Sequence, residues 1–256
     1  MFETIWLDTL LFFGALHVVT PAVVRYAMRF SARCNPVEVS LDGLPEEVAA
    51  LIRPHLAKLA SLGFERLGCY DCGSLTSETR SYMAYFCNRA TSEFASVSAL
   101  VTPGKTASYL EFSTMFTNGL VLETNTNSTL PLTPANDLQH IFRFPKIHSP
   151  QALYVIHRHL VEKYAPGLWP QAEPKGEELH RFTRVIENYG PRHARIGYMQ
   201  LAEDGQSYKL TWKGAFLMTW CGLWPTSIFR KILQHHATQS ELDSLHVSGV
   251  TALQKA

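Results

Sequence analysis

The sequence has no surplus of either charge: 23 Lys and Arg stand against 22 Asp and Glu, a formal net charge of +1. Without a basic field, attraction of nucleic acid by charge alone is excluded, and no nucleic-acid partner is expected. Cysteine is sparse and odd in number, at positions 34, 69, 72, 87 and 221. That is unlike the dense, even set of a secreted disulfide scaffold, and a reducing compartment is expected. A glycine-rich phosphate loop, a nucleophile elbow, an HExxH pair and a paired-carboxylate signature are all missing, so no catalytic residue and no cofactor is assigned. No internal repeat, heptad run or low-complexity block occurs. Charged residues make up 18 % of the chain, below the roughly 25 % of soluble domains. That deficit points to membrane contact.

Two apolar runs are present. The first, uncharged from Thr9 to Val24, extends over Ile5 to Met28 with Asp8 and Arg25 at its margins. A span needs about 20 predominantly apolar residues, which predicts an N-terminal transmembrane helix within an anchor at 1–34. Glu3 and Asp8 precede the run and Arg25, Arg29 and Arg33 follow it, so the positive-inside rule places the rest of the chain on the cytoplasmic side of the inner membrane. No basic segment precedes the run and no small-residue cleavage site follows it, so the segment is expected to stay attached. The second run, Gly214 to Phe229, lies between Lys209 and Lys213 on one side and Arg230 and Lys231 on the other. Trp212, Trp220 and Trp224, with Phe216 and Phe229, are typical of the headgroup region, predicting an interfacial or second membrane helix within an aromatic segment at 209–233. The basic residues Arg25, Arg29, Arg33, Lys213, Arg230 and Lys231 suit anionic lipid, each contributing about 1 kcal/mol near the surface.

Between the runs, patterning predicts an α+β domain at 35–165, an antiparallel sheet of four to five strands covered by helices. Pro45, Glu46 and Glu47 open a helix that continues through Val48, Ile52, Leu56 and Leu59 to a cap at Gly63. Alternating segments at 81–90, 92–101, 107–117 and 120–126 read as strands. Asn118-Gly119 reads as the two-residue tip of a hairpin that puts Leu110, Phe112 and Phe116 on one face. A helix at about 149–165 is expected to cover the sheet. From 166 to 208 a proline-rich connection, a polar helix at 177–188, a turn at Gly190-Pro191 and a hairpin around Asp204-Gly205 are predicted, and after 234 a loosely held polar tail.

Candidate chemistry is thin. Cys69 and Cys72 have CxxC spacing, and with Cys87 they are the weak candidates for thiol exchange or a metal. Continuing strand after Gly73 argues against a redox site, and no second CxxC completes a zinc site. His157 and His159 stand two apart on a helix and so face different ways, which reads as surface histidine and not as ligation with His140 or His148. The expected function is therefore contact: a membrane-anchored accessory or adaptor protein. Its partners are the bilayer, anionic lipid, and a membrane protein or a second copy of the chain. A membrane-tethered ligand or lipid sensor and an enzyme acting on lipid or thiols are the alternatives.

Overall fold

The computed structural model describes residues 2–76, 79–129, 131–134 and 138–247. In chain order the elements are helix α1 (Phe2–Ala27), strands β1 (Arg29–Ser31) and β2 (Val37–Val39), helix α2 (Glu46–Ser61), and strands β3 (Glu65–Thr76), β4 (Thr79–Asn88), β5 (Glu93–Thr102), β6 (Lys105–Met115), β7 (Val121–Asn125) and β8 (Gln139–Arg143). Helices α3 (Pro150–Tyr164), α4 (Glu178–Glu187) and α5 (Tyr189–Arg195) follow, then strands β9 (Met199–Leu201) and β10 (Ser207–Leu210), and helices α6 (Trp212–Gly222) and α7 (Thr226–Val247). These elements divide between two units, one of residues 1–34, 130–134 and 183–232, the other of 35–129, 135–182 and 233–256.

The larger unit is built on a seven-stranded sheet in the order β2-β3-β4-β5-β6-β7-β8. All its neighbours are antiparallel except β7 and β8, which run parallel. The strand period of two sends Leu110, Phe112 and Leu122 to one face, where they pack with Val48, Ile52 and Leu59 of α2 and Leu153, Ile156 and Leu160 of α3. Each such fully buried side chain contributes about 1.5–3 kcal/mol. Ser149 starts α3, its Oγ accepting from the Ala152 amide at 3.3 Å. Gly63 follows α2 at φ +85°, the left-handed conformation that ends many helices.

The sheet is thus larger than the four to five strands expected and is mixed. The additional members are strands such as β8, which is short and half-exposed and lacks clean alternation. The β6–β7 connection also differs. Phe116 N–H donates to Leu120 O and Gly119 N–H to Phe116 O, so the loop has three residues and not the expected two. Only Gly119 in it has positive φ, +84°, which suits a type I turn closed by one left-handed residue. Of the expected polar tail, residues 234–247 instead form the second half of α7, and 248–256 lie outside the described residues. Leu245 is buried against the core, and Glu241 accepts from Lys163 Nζ at 2.8 Å and from Tyr164 Oη at 2.6 Å. The turn at Gly190-Pro191 is α5, where Pro191 occupies the first helical turn and no amide hydrogen is missed.

The smaller unit holds a three-stranded antiparallel sheet, β1-β10-β9. Its core is Tyr198, Met199, Leu210, Ala215 and Met218, with Val24, Met28, Phe30, Tyr189 and Tyr208 around them. Thr211 caps α6 by accepting from the Gly214 amide at 3.0 Å.

Among the described residues no helix is long and apolar enough to cross a membrane, which overturns the expected transmembrane helix and the second span alike. In α1 the length suffices, but Glu3, Asp8, Thr9, His17, Thr20 and Arg25 dilute the apolar run. The second run is broken in two: α6 ends at Gly222, Leu223 is extended at φ −91°, ψ 157°, and α7 begins at Thr226. The 11 residues of α6 reach about 16 Å, roughly half of a hydrocarbon core.

Candidate functional site

In the smaller unit α6 is inverted in residue size. Gly214, Ala215, Met218 and Thr219 face inward, while Trp212, Phe216, Leu217 and Trp220 are exposed, Trp220 by 54 %. The helical period explains the arrangement: 212, 216 and 220 fall on one stripe, and only small residues at 214 and 215 admit close packing on the sheet. A Cβ on Gly214 would lie 2.0 Å from the Tyr198 carbonyl oxygen. On α1, Val18, Val19, Val23 and Tyr26 form a second exposed stripe, and Trp224, Ile228, Phe229 and Ile232 add to the exposed apolar side chains of this unit. The Arg25 guanidinium lies over the Trp212 ring at 4.6 Å, and His17 meets the Trp220 ring edge-on at 5.7 Å.

The expected basic residues are divided in role. Arg29 Nη1 donates to the Arg25 and Met28 carbonyls at 3.2 Å. Lys213 Nζ reaches Ile196 O at 2.8 Å, and Arg230 Nη2 reaches Pro131 O at 2.6 Å. Arg33 and Lys231 are exposed. Arg29 and Lys213 stay exposed while fixing the local backbone, whereas Arg230 is half-buried with Nη1 enclosed.

The cysteine candidates are not brought together. Cys69 belongs to the core under α2 and α3, whereas Cys72 and Cys87 belong to a cluster on the opposite sheet face. Burial pushes the thiols of Cys69 and Cys87 up, and that of Cys34 up to about 11, which keeps them protonated and unreactive. Among the described residues no group of three potential metal ligands occurs. His157 is no surface histidine: it is fully buried, with Nε2 2.9 Å from Thr114 Oγ1 and Nδ1 3.0 Å from Thr124 Oγ1. His140 lies edge-on to Tyr164.

A polar constellation that the sequence reading missed occupies the other face of the large sheet. Register partners align Tyr85 with Ser96, Ser96 with Glu111, Glu111 with Asn125, and Asn125 with Arg143, from β4 to β8. In the next row Phe94 aligns with Ser113 and Ser113 with Glu123. Glu111 and Glu123 are therefore diagonal neighbours, with Cβ atoms about 7–8 Å apart or less. Each has one oxygen held by an amide: Asn125 Nδ2 donates to Glu111 Oε2 at 3.2 Å, and Gln139 Nε2 to Glu123 Oε1 at 2.9 Å. Glu111 keeps some solvent access, yet burial, and then the neighbouring Glu123 charge, pushes its carboxyl up to about 8. Burial raises Glu123 as well, opposed by the Gln139 hydrogen bond. From α4, Arg181 is 3 % exposed and lies over the Phe94 ring at 3.9 Å. Its Nη1 has no hydrogen-bond partner. The discoverable signal was a glutamate inside each strand of the β6–β7 hairpin, on the face opposite Phe112 and Leu122.

Compared with family models, curated proteins and solved structures, this chain has no match.

Proposed function

We propose that the protein is a peripheral membrane protein that acts by contact, laying the aromatic surface of its smaller unit on an anionic bilayer. The observation that supports this reading most is the inversion of α6, which turns Trp212, Phe216 and Trp220 outward and only small or flexible residues inward. Exposed apolar surface at this density is a liability in water and marks a docking face. Tryptophan, whose ring is apolar with a polar N–H, favours the headgroup layer. Arg25, Arg29, Lys213 and Lys231 on the same unit make lipid phosphate the complementary partner. Insertion is shallow, because the helices concerned lie along an interface and do not span.

Co-sedimentation of the full chain with lipid vesicles tests the proposal. Binding is expected to vesicles of phosphatidylcholine mixed with phosphatidylglycerol, to weaken as salt rises, and to drop about tenfold or more when Trp220 and Trp224 are both replaced by Ser. Equal binding by that variant overturns the reading. So does self-association through the same tryptophans without vesicle binding, which would make a second copy the occupant.

A further inference from the structure

The polar face of the large sheet has hydrogen-bonding capacity that the protein leaves unused. Among the described residues no hydrogen bond reaches Glu111 Oε1 or Glu123 Oε2, the amides of Asn125 and Gln139 engaging only the other oxygen of each. Arg181 is buried with Nη1 unbonded, and its guanidinium sits over Phe94, in the row that continues through Ser113 to Glu123. A buried donor without a partner is costly, and Arg181 Nη1 is one; because the Arg181 charge acts on both Glu111 and Glu123, the place they share calls for a ligand or ordered water.

The chemistry of the three narrows the ligand. A metal cation would be attracted by the carboxylates and repelled by Arg181. An anion would meet Arg181 but also two carboxyl groups. A neutral molecule with adjacent hydroxyls satisfies all three, because each hydroxyl both donates and accepts. Raised carboxyl pKa values fit the same conclusion, since a site that keeps Glu111 protonated near neutrality has little net charge to offer. Planar carboxylate and amide groups on a rigid sheet, with a guanidinium from α4 and Tyr109 on the same face as Glu111, suit a sugar ring.

We propose that this face binds a small, uncharged, polyhydroxylated molecule of the sugar or polyol class, with Glu111 Oε1 donating to one hydroxyl, Glu123 Oε2 accepting from a neighbouring one and Arg181 Nη1 donating to either. The site belongs to the larger unit and is independent of lipid contact by the smaller one.

The full chain is titrated by calorimetry and by amide-shift NMR with glucose, galactose, xylose and sorbitol, with magnesium chloride and sodium phosphate as charged comparators. At least one neutral probe is expected to bind saturably and to move the amides of residues 109–113, 121–125 and 181 in the wild-type protein. Glu123→Gln, Glu111→Ala and Arg181→Met are each expected to weaken that binding about tenfold or more. The wild-type shift map keeps the test valid even where a variant fails to fold. No saturable binding by any neutral probe overturns the proposal, as does a shift map centred elsewhere. A response confined to magnesium or to phosphate assigns the face to an ion, and unchanged affinity in the folded variants removes these residues from it.

Discussion

His157 Nε2 stands 2.9 Å from Thr114 Oγ1 in the core of the larger unit, and Thr124 Oγ1 takes the other ring nitrogen at 3.0 Å. The ring therefore bridges β6 and β7 from α3 without any charged partner in direct contact. Burial pushes His157 down to about 4 from an ordinary 6.5. The neutral ring is favoured in the folded protein, so its contribution is fully present above about pH 6.5 and is lost as pH falls toward about 4. Wild-type unfolding free energy should decline between about pH 7 and pH 5 by at most about 1.4 kcal/mol per unit from this group. Denaturant unfolding of His157→Gln, whose amide hydrogen-bonds but does not titrate, should show a shallower decline. Identical slopes would remove His157 as the source.

Gly214 begins the inward packing of α6 and the exposed Gly222 ends the helix, and they should respond oppositely to one added methyl group. A Cβ at 214 meets the Tyr198 carbonyl oxygen at 2.0 Å, while one at 222 meets only Leu132 Cδ2 at 3.7 Å. Gly214→Ala is expected to destabilise the protein by about 1–3 kcal/mol, and Gly222→Ala to be neutral or slightly stabilising. Thermal melts of both compare them directly; equal melting temperatures would refute the close approach of α6 to Tyr198.

Gly119 is the single left-handed residue in the β6–β7 loop, and a Cβ there meets nothing within 4 Å. Substitution by Val therefore acts through backbone conformation alone, at about 1 kcal/mol or more. An unchanged denaturation midpoint for Gly119→Val would show that the loop readily adopts another turn.

The larger unit was legible where local chemistry and pattern agreed. Helix α2 announced itself through Pro45, Glu46 and its apolar period, and β4 to β7 through alternation and turn residues. Strand β8 was not legible, because parallel pairing with β7 leaves no turn signal to read. The split of the second apolar run at Leu223 was hidden because hydropathy is blind to backbone direction. The glutamates illustrate a different gap. Glu111 and Glu123 lie twelve positions apart in the sequence, and no spacing rule links them. With Leu110, Phe112 and Leu122 on the core face, however, the strand period puts both carboxyls on the opposite side of adjacent strands.

The pairing of Arg29–Ser31 with Ser207–Lys209 has a consequence for synthesis on the ribosome. Strand β1 emerges early, but its partner β10 is translated only after the whole seven-stranded sheet has left the exit tunnel. At about 5–20 residues per second the interval is roughly ten to forty seconds. Throughout it, the exposed valines of α1 and the edge of β1 lack the strand that completes their unit. Nascent chains stalled before residue 199 should therefore hold this segment open to chaperones or to a bilayer surface, while the β4–β7 meander, with its short-range contacts, is already able to form.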